Sequence, residues 1–131
     1  HLNNHLPALF NNFGKQGLRI YAISANDKDK FPDDSPEKMA IEAKKLNFDF
    51  PYLFDENQEV AKSYKAACTP DFFLFDQNKE LFYRGQYDDS RPNNNIEITG
   101  FDISNAVNLL LQGEDAPKSQ TPSIGCNIKW K

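Results

Sequence analysis

The run DFFLFDQNKELFYRG (residues 71–85) constrains this chain more than any other feature. Two aromatic-rich stretches, Phe72–Phe75 and Leu81–Arg84, flank a polar connection at Asp76–Lys79. Short apolar strands joined by a polar turn read as a β-hairpin. Hairpin strands are antiparallel, whereas strands joined through a helix are parallel. Any helix-linked strands elsewhere in the chain therefore predict a mixed sheet.

Such strands are present upstream. Residues 18–25, LRIYAISA, form a short, nearly continuous apolar run that suits a buried strand. A brief edge strand is expected near Tyr52–Phe54, after Pro51. Helical spacing separates these segments. Leu2, Leu6, Leu9 and Phe13 share one helix face that Gly14 and Gly17 end. Pro7 lies inside that pattern, so it either kinks a helix that starts upstream or marks a first turn, and a helix is preferred to a tag remnant around His1. Ser35-Pro36-Glu37 reads as N-cap, first-turn proline and first-turn acid of a second helix that buries Met39, Ala43 and Leu46. A third helix, from about Asn57 to Tyr64, offers Val60, Ala61 and Tyr64 to the core. Thr99 and Asp102 have capping-box spacing ahead of a last helix with Ile103, Ala106, Val107, Leu110 and Leu111 as its stripe. Gly113 ends it, and residues 114–131 form an irregular tail packed on a domain of residues 1–113. This order is α/β, with a mixed central sheet flanked by helices.

Composition narrows the function. The chain has 131 residues, enough for one domain. Its net charge of −4, without a basic cluster, opposes binding to phosphate backbones, so nucleic acid is not an expected partner. No apolar run reaches the roughly 20 residues of a membrane helix. Two cysteines, Cys68 and Cys126, are too few for a secreted disulfide scaffold. They fit a reducing, cytoplasmic setting or a redox role.

Thr69-Pro70, placed just before the first hairpin strand, resembles the cis-proline loop of the thioredoxin fold. Taken alone, the dipeptide reads as plainly as a trans turn leading into a strand. Longer strings add weight: AISANDKDKFPDDSPEKM, FPYLFDENQEVAKSYKAACTPDFFLFD, LFYRGQYDDSRP and PSIGCNIKWK. Together they resemble a bacterial thioredoxin-like family grouped with peroxiredoxins and thiol-disulfide oxidoreductases, over essentially the whole chain.

That resemblance implies a thiol-disulfide oxidoreductase or thiol-dependent peroxidase, without a cofactor. The alternative is a redox-inert binding module with the same groove. Members normally carry a Cys-x-x-Cys where a strand opens the first helix, and these residues lack both strand and motif. The natural protein is therefore expected to continue about 40–60 residues upstream by family analogy, and this chain alone to be inactive. The absent strand would lie between the strands at 18–25 and 72–75, which would otherwise stand roughly 10 Å apart and leave backbone groups unpaired.

By the same resemblance, Thr69 and Pro70 shape a groove for an extended thiol or peptide. Cys68 lies close by as a candidate auxiliary thiol, and Cys126 is a weaker one. The implied partners are a protein disulfide, small thiol or peroxide, with thioredoxin or a similar reductant, on a monomer or homodimer.

Other residues carry plainer readings. His1 and His5 stand at i, i+4 without a third metal ligand, so they read as a solvated helix face or a tag remnant. Asp88, Asp89 and Arg91 read either as substrate contacts or, just as simply, as an exposed acidic loop, and Trp130 as an anchor for the tail.

Overall fold

A computed structural model describes all of residues 1–131. In chain order the elements are α1 (Leu6–Lys15), β1 (Ala22–Ser24), α2 (Pro36–Lys45), β2 (Tyr52–Phe54), α3 (Glu59–Ser63), β3 (Cys68–Thr69), β4 (Phe72–Phe75), β5 (Leu81–Gly85), α4 (Phe101–Leu111) and β6 (Cys126–Asn127). The α/β order read from sequence is present. The sheet differs from expectation: there are three separate two-stranded sheets, β1–β2, β3–β6 and β4–β5. The first is parallel and the last antiparallel, so both senses occur but not in one central sheet. The chain divides into two compact units, one of Leu6–Ala67 with Asn127–Lys131, the other of His1–His5 with Cys68–Cys126.

In the first unit, β1 spans only three of the eight residues expected, because its partner β2 supplies just three: Ala22, Ile23 and Ser24 face Tyr52, Leu53 and Phe54. Helix α1 begins at Leu6, which puts Pro7 in its first turn, where the missing amide costs nothing. The kinked helix running through Leu2 is therefore not formed, and Gly14 lies inside α1. Phe13 is buried, and Phe10, Phe50 and Phe48 continue an aromatic series with centroid spacings of 6.0 and 4.7 Å. Ser35 caps α2 as expected, its hydroxyl accepting the Lys38 amide at 3.3 Å. Met39 is buried on that helix.

Helix α3 is shorter than expected, and of its three core candidates only Ala61 is buried; Val60 and Tyr64 are exposed. Its cap comes from outside the helix: the Asp55 carboxylate accepts the amides of Val60 and Ala61 at 3.3 and 2.8 Å. Gln58, 2% exposed and left-handed at φ 63°, donates to the carbonyls of Ala25 and Lys129 at 2.7 and 3.0 Å. Its own oxygen accepts the Lys131 amide at 3.1 Å. The chain end is thus tied down by Gln58 and by Ile128, which packs with Ala25 and Ala61. Trp130 contributes less than expected; it is 39% exposed, with the Lys62 ammonium 5.8 Å from its ring.

In the second unit, the hairpin has the expected limits to within a residue, with Leu74 opposite Tyr83, both buried. A register irregularity follows Leu74. Asp76 closes the turn by accepting the amides of Asn78 and Glu80 at 2.8 and 3.0 Å. Helix α4 packs Ile103, Ala106 and Val107 against the hairpin, while Leu111 is exposed. The irregular residues 117–123 cover the outer edge of β5. Gln120 accepts the Arg84 amide and donates to the Phe82 carbonyl, at 3.1 and 3.0 Å. Thr121 accepts the Gln86 amide at 2.9 Å, and the Ser123 hydroxyl donates to the Gly85 carbonyl at 2.6 Å. Covering an edge this way removes a row of unpaired backbone groups from competition.

The expected capping box of α4 is not made. Gly100 is the N-cap, with a left-handed backbone and no side-chain bond. Asp88 takes over, accepting the amides of Thr99 and Gly100 at 2.7 and 2.8 Å. The Tyr87 carbonyl accepts those of Asp102 and Ile103. A carboxylate at a helix N-terminus also meets the positive end of its dipole.

Candidate functional site

The loop entering the hairpin carries the residues singled out from sequence. The Thr69-Pro70 peptide is cis. Thr69 and Pro70 are exposed, Cys68 is half-buried, and Asp71 follows with only 8% of its side chain exposed. Asp71 pairs with Arg84 at 3.3 Å, and the Arg84 guanidinium lies 4.8 Å from the centre of the Phe73 ring. Hairpin pairing brings this arginine to the loop, because Phe73 is opposite Arg84 in the register.

The C-terminal segment forms the other wall. β3 is hydrogen-bonded to β6, and the Thr69 hydroxyl donates to the Cys126 carbonyl at 3.5 Å. Gly125 lies against the Thr69 backbone so closely that a Cβ there would stand 2.2 Å from the Thr69 carbonyl oxygen. Only glycine fits such an approach. The Cys68 thiol points to the Ser123 carbonyl at 3.6 Å.

Both cysteines are free thiols. Burial pushes the Cys68 thiol up, and the Asp71 carboxylate pushes it further; Arg84 and a bond with the Gly125 backbone work in the opposite direction without cancelling them. A thiol raised this way remains protonated near neutrality, and the thiolate is the nucleophile. Cys126 is exposed on the surface strand beside Thr69.

Three residues read as an exposed loop belong instead to a polar network. Asp88 and Ser90 are each 3% exposed and bonded to one another. Arg91 donates to the carbonyls of Asp88 and Ser90 and to the buried Gln86 side chain. Gln86 in turn donates to Asp89 and Asp102 at 2.7 and 2.8 Å. These bonds make a structural knot at the start of α4. The histidines meet the same knot rather than lying on a solvated helix face. His5 Nδ1 is 2.7 Å from the Tyr87 hydroxyl, and His1 Nε2 is 3.0 Å from the Ser90 hydroxyl. Nowhere in the chain do three or more His, Cys, Asp or Glu side chains gather as a metal site would need. No helix is long and apolar enough to cross a membrane.

The sequence pattern of the AhpC/TSA family matches residues 4–84, a span that contains Cys68, Thr69 and Pro70. The chain belongs to the AhpC/TSA family. This is a thioredoxin-like, oxidoreductase-type family, in keeping with the resemblance noted from sequence. The chain is also similar to two bacterial proteins of known structure. An uncharacterized conserved protein from Geobacillus kaustophilus is 52% identical, with a TM-score of 0.97 over 100% of this chain and 69% of that one. A hypothetical protein from Sinorhizobium meliloti is 46% identical, with a TM-score of 0.97 over 99% of this chain and 71% of that one. No curated protein matches the chain.

Two residues of this candidate site escaped sequence reasoning. Gly125 had a readable signal, a glycine beside a cysteine in the string SIGCNIKW of an irregular tail. Arg84 had none, since only the hairpin register brings it to Asp71.

Proposed function

We propose that the protein is a thiol-disulfide oxidoreductase of the AhpC/TSA family whose redox-active Cys-x-x-Cys lies upstream of His1. The family match across residues 4–84 carries this reading. The longer chains of the two similar structures are consistent with an additional segment.

In the reaction, an upstream thiolate attacks one sulfur of a substrate disulfide, forming a mixed disulfide and releasing the other sulfur as thiolate. The second cysteine of the pair then attacks the mixed disulfide, releases the substrate's remaining thiol and leaves a protein disulfide. A thioredoxin-like dithiol returns the two electrons. Thr69 and Pro70 hold the extended substrate. Cys68, kept protonated, is unsuited to the first attack and remains available as an auxiliary thiol. Peroxide as the oxidised substrate is the second reading, which the family's oxidoreductase character also supports.

The test is the protein with its upstream residues, assayed for insulin disulfide reduction and for peroxide consumption. Insulin turnover abolished by removing the upstream cysteines supports the proposal. Peroxide consumption alone selects the second reading, and activity in neither assay selects a redox-inert binding module.

A further inference from the structure

We propose that His5 and Tyr87 are positioning residues: their hydrogen bond fixes the chain that enters α1 against the unit carrying Thr69 and Pro70. This rests on the reading that the redox-active cysteines lie upstream of His1.

Residues His1–His5 precede α1, yet they belong to the compact unit of Cys68–Cys126. Two polar contacts hold them there. His5 Nδ1 and the Tyr87 hydroxyl share a hydrogen bond of 2.7 Å, with the two rings edge to face at 5.7 Å. Four residues earlier, His1 Nε2 and the Ser90 hydroxyl share one of 3.0 Å. The His5 amide donates to the Leu2 carbonyl at 3.0 Å, so a turn joins the two contacts.

The receiving side is itself fixed. Tyr87 and Ser90 are both buried. The Tyr87 carbonyl accepts the amides of Asp102 and Ile103 at 3.1 and 3.2 Å, and the Ser90 amide donates to Asp88 at 2.9 Å. A buried network whose members are satisfied is rigid. The Tyr87 ring also packs on Phe72 at 5.5 Å, two residues beyond Pro70. One side chain thus touches both the segment entering α1 and the first residue of β4, the strand that follows the Thr69-Pro70 loop.

Apolar contacts alone would let the segment slide. Hydrogen bonds weaken steeply with misalignment, so two of them set its direction. Thiol-disulfide exchange needs the attacking sulfur held in line with the disulfide, and a small displacement costs much of the rate. His5 and Tyr87 touch no reacting atom; they act through the segment they hold.

The test assays the protein with its upstream residues for insulin disulfide reduction and peroxide consumption, as parent, Tyr87→Phe, His5→Leu and His5→Asn. Asparagine can present a polar atom where histidine presents Nδ1, and leucine cannot. Tyr87→Phe and His5→Leu should each lower kcat about tenfold with KM nearly unchanged, because the groove at Thr69 and Pro70 is untouched. His5→Asn should recover most of the rate lost in His5→Leu. His5 is half-buried and lies outside any helix or strand, so its variants report even if Tyr87→Phe fails to fold. A merely structural contact would lower the melting temperature and leave kcat of the folded variants at the parent value. That result overturns the positioning role and leaves the oxidoreductase reading intact, as does equal loss in His5→Asn and His5→Leu. A parent that turns over neither substrate overturns the oxidoreductase reading, and the positioning role with it.

Discussion

The Asp88 carboxylate accepts the backbone amide of Gly100 at 2.8 Å, twelve residues along the chain. The same oxygen accepts the Thr99 amide, so one buried side chain closes the loop before α4. Burial works to raise the Asp88 pKa, but the bonds from Ser90, Gly100 and Thr99 outweigh it and hold the carboxyl below its ordinary value of 3.8. A folded pKa below the unfolded one means that this stabilisation is complete above about pH 4 and is lost as pH falls through the lowered value. Asp88→Ala should cost about 2–3 kcal/mol at neutral pH, since it strands buried amides. Urea midpoints at neutral and acid pH check both points: the difference between parent and variant should shrink in acid.

Gln58 predicts a separate loss. Gln58→Ala removes the partners of the Ala25 and Lys129 carbonyls and of the Lys131 amide. Each buried group left unpaired costs about 1–3 kcal/mol, though water admitted at the chain end offsets part of it. The variant should unfold at lower denaturant, and the amides of 127–131 should lose protection from hydrogen exchange before those of α2.

The tyrosines predict behaviour in alkali. Burial, with Asp102 adding to it, pushes Tyr83 up to about 12, and its hydroxyl donates to the Gln86 carbonyl at 2.6 Å. Tyr87 is raised by burial and by Asp88, and Tyr52 by burial and then Glu42. These groups stay protonated when folded but ionise near 10 when unfolded, so stability should decline as pH rises above about 10. Tyrosinate absorbance should show part of the five-tyrosine signal delayed until the protein unfolds.

Gly85→Ala tests the packing behind the groove. A Cβ there would meet the Thr121 carbonyl at 2.5 Å and the Tyr83 hydroxyl at 2.9 Å. Overpacking of this kind costs about 1–3 kcal/mol, readable as a lower melting temperature.

What was legible in the sequence was local. Ser35-Pro36-Glu37 carries its own cap and first turn, and the hairpin carries its strands and its Asp76 turn within fifteen residues. The limits of β2 were readable for the same reason. What failed was set by distant partners. DDSRPNNN has the composition of a solvated loop, but amides eleven and twelve residues away bury Asp88. Leu18–Tyr21 have strand character and remain outside β1, because β2 is too short to pair them. At the candidate site, the Cys68–Pro70 string stood out, but its wall, Ser123–Cys126, lies more than fifty residues downstream in a tail without periodicity.

Insulin disulfide reduction, measured for this 131-residue chain and for the protein carrying its upstream residues, locates the redox-active cysteines. Turnover is expected only from the longer protein, and is lost when its upstream cysteines are replaced by serine. Turnover by the 131-residue chain itself would contradict it, because Cys68 or Cys126 would then carry the chemistry.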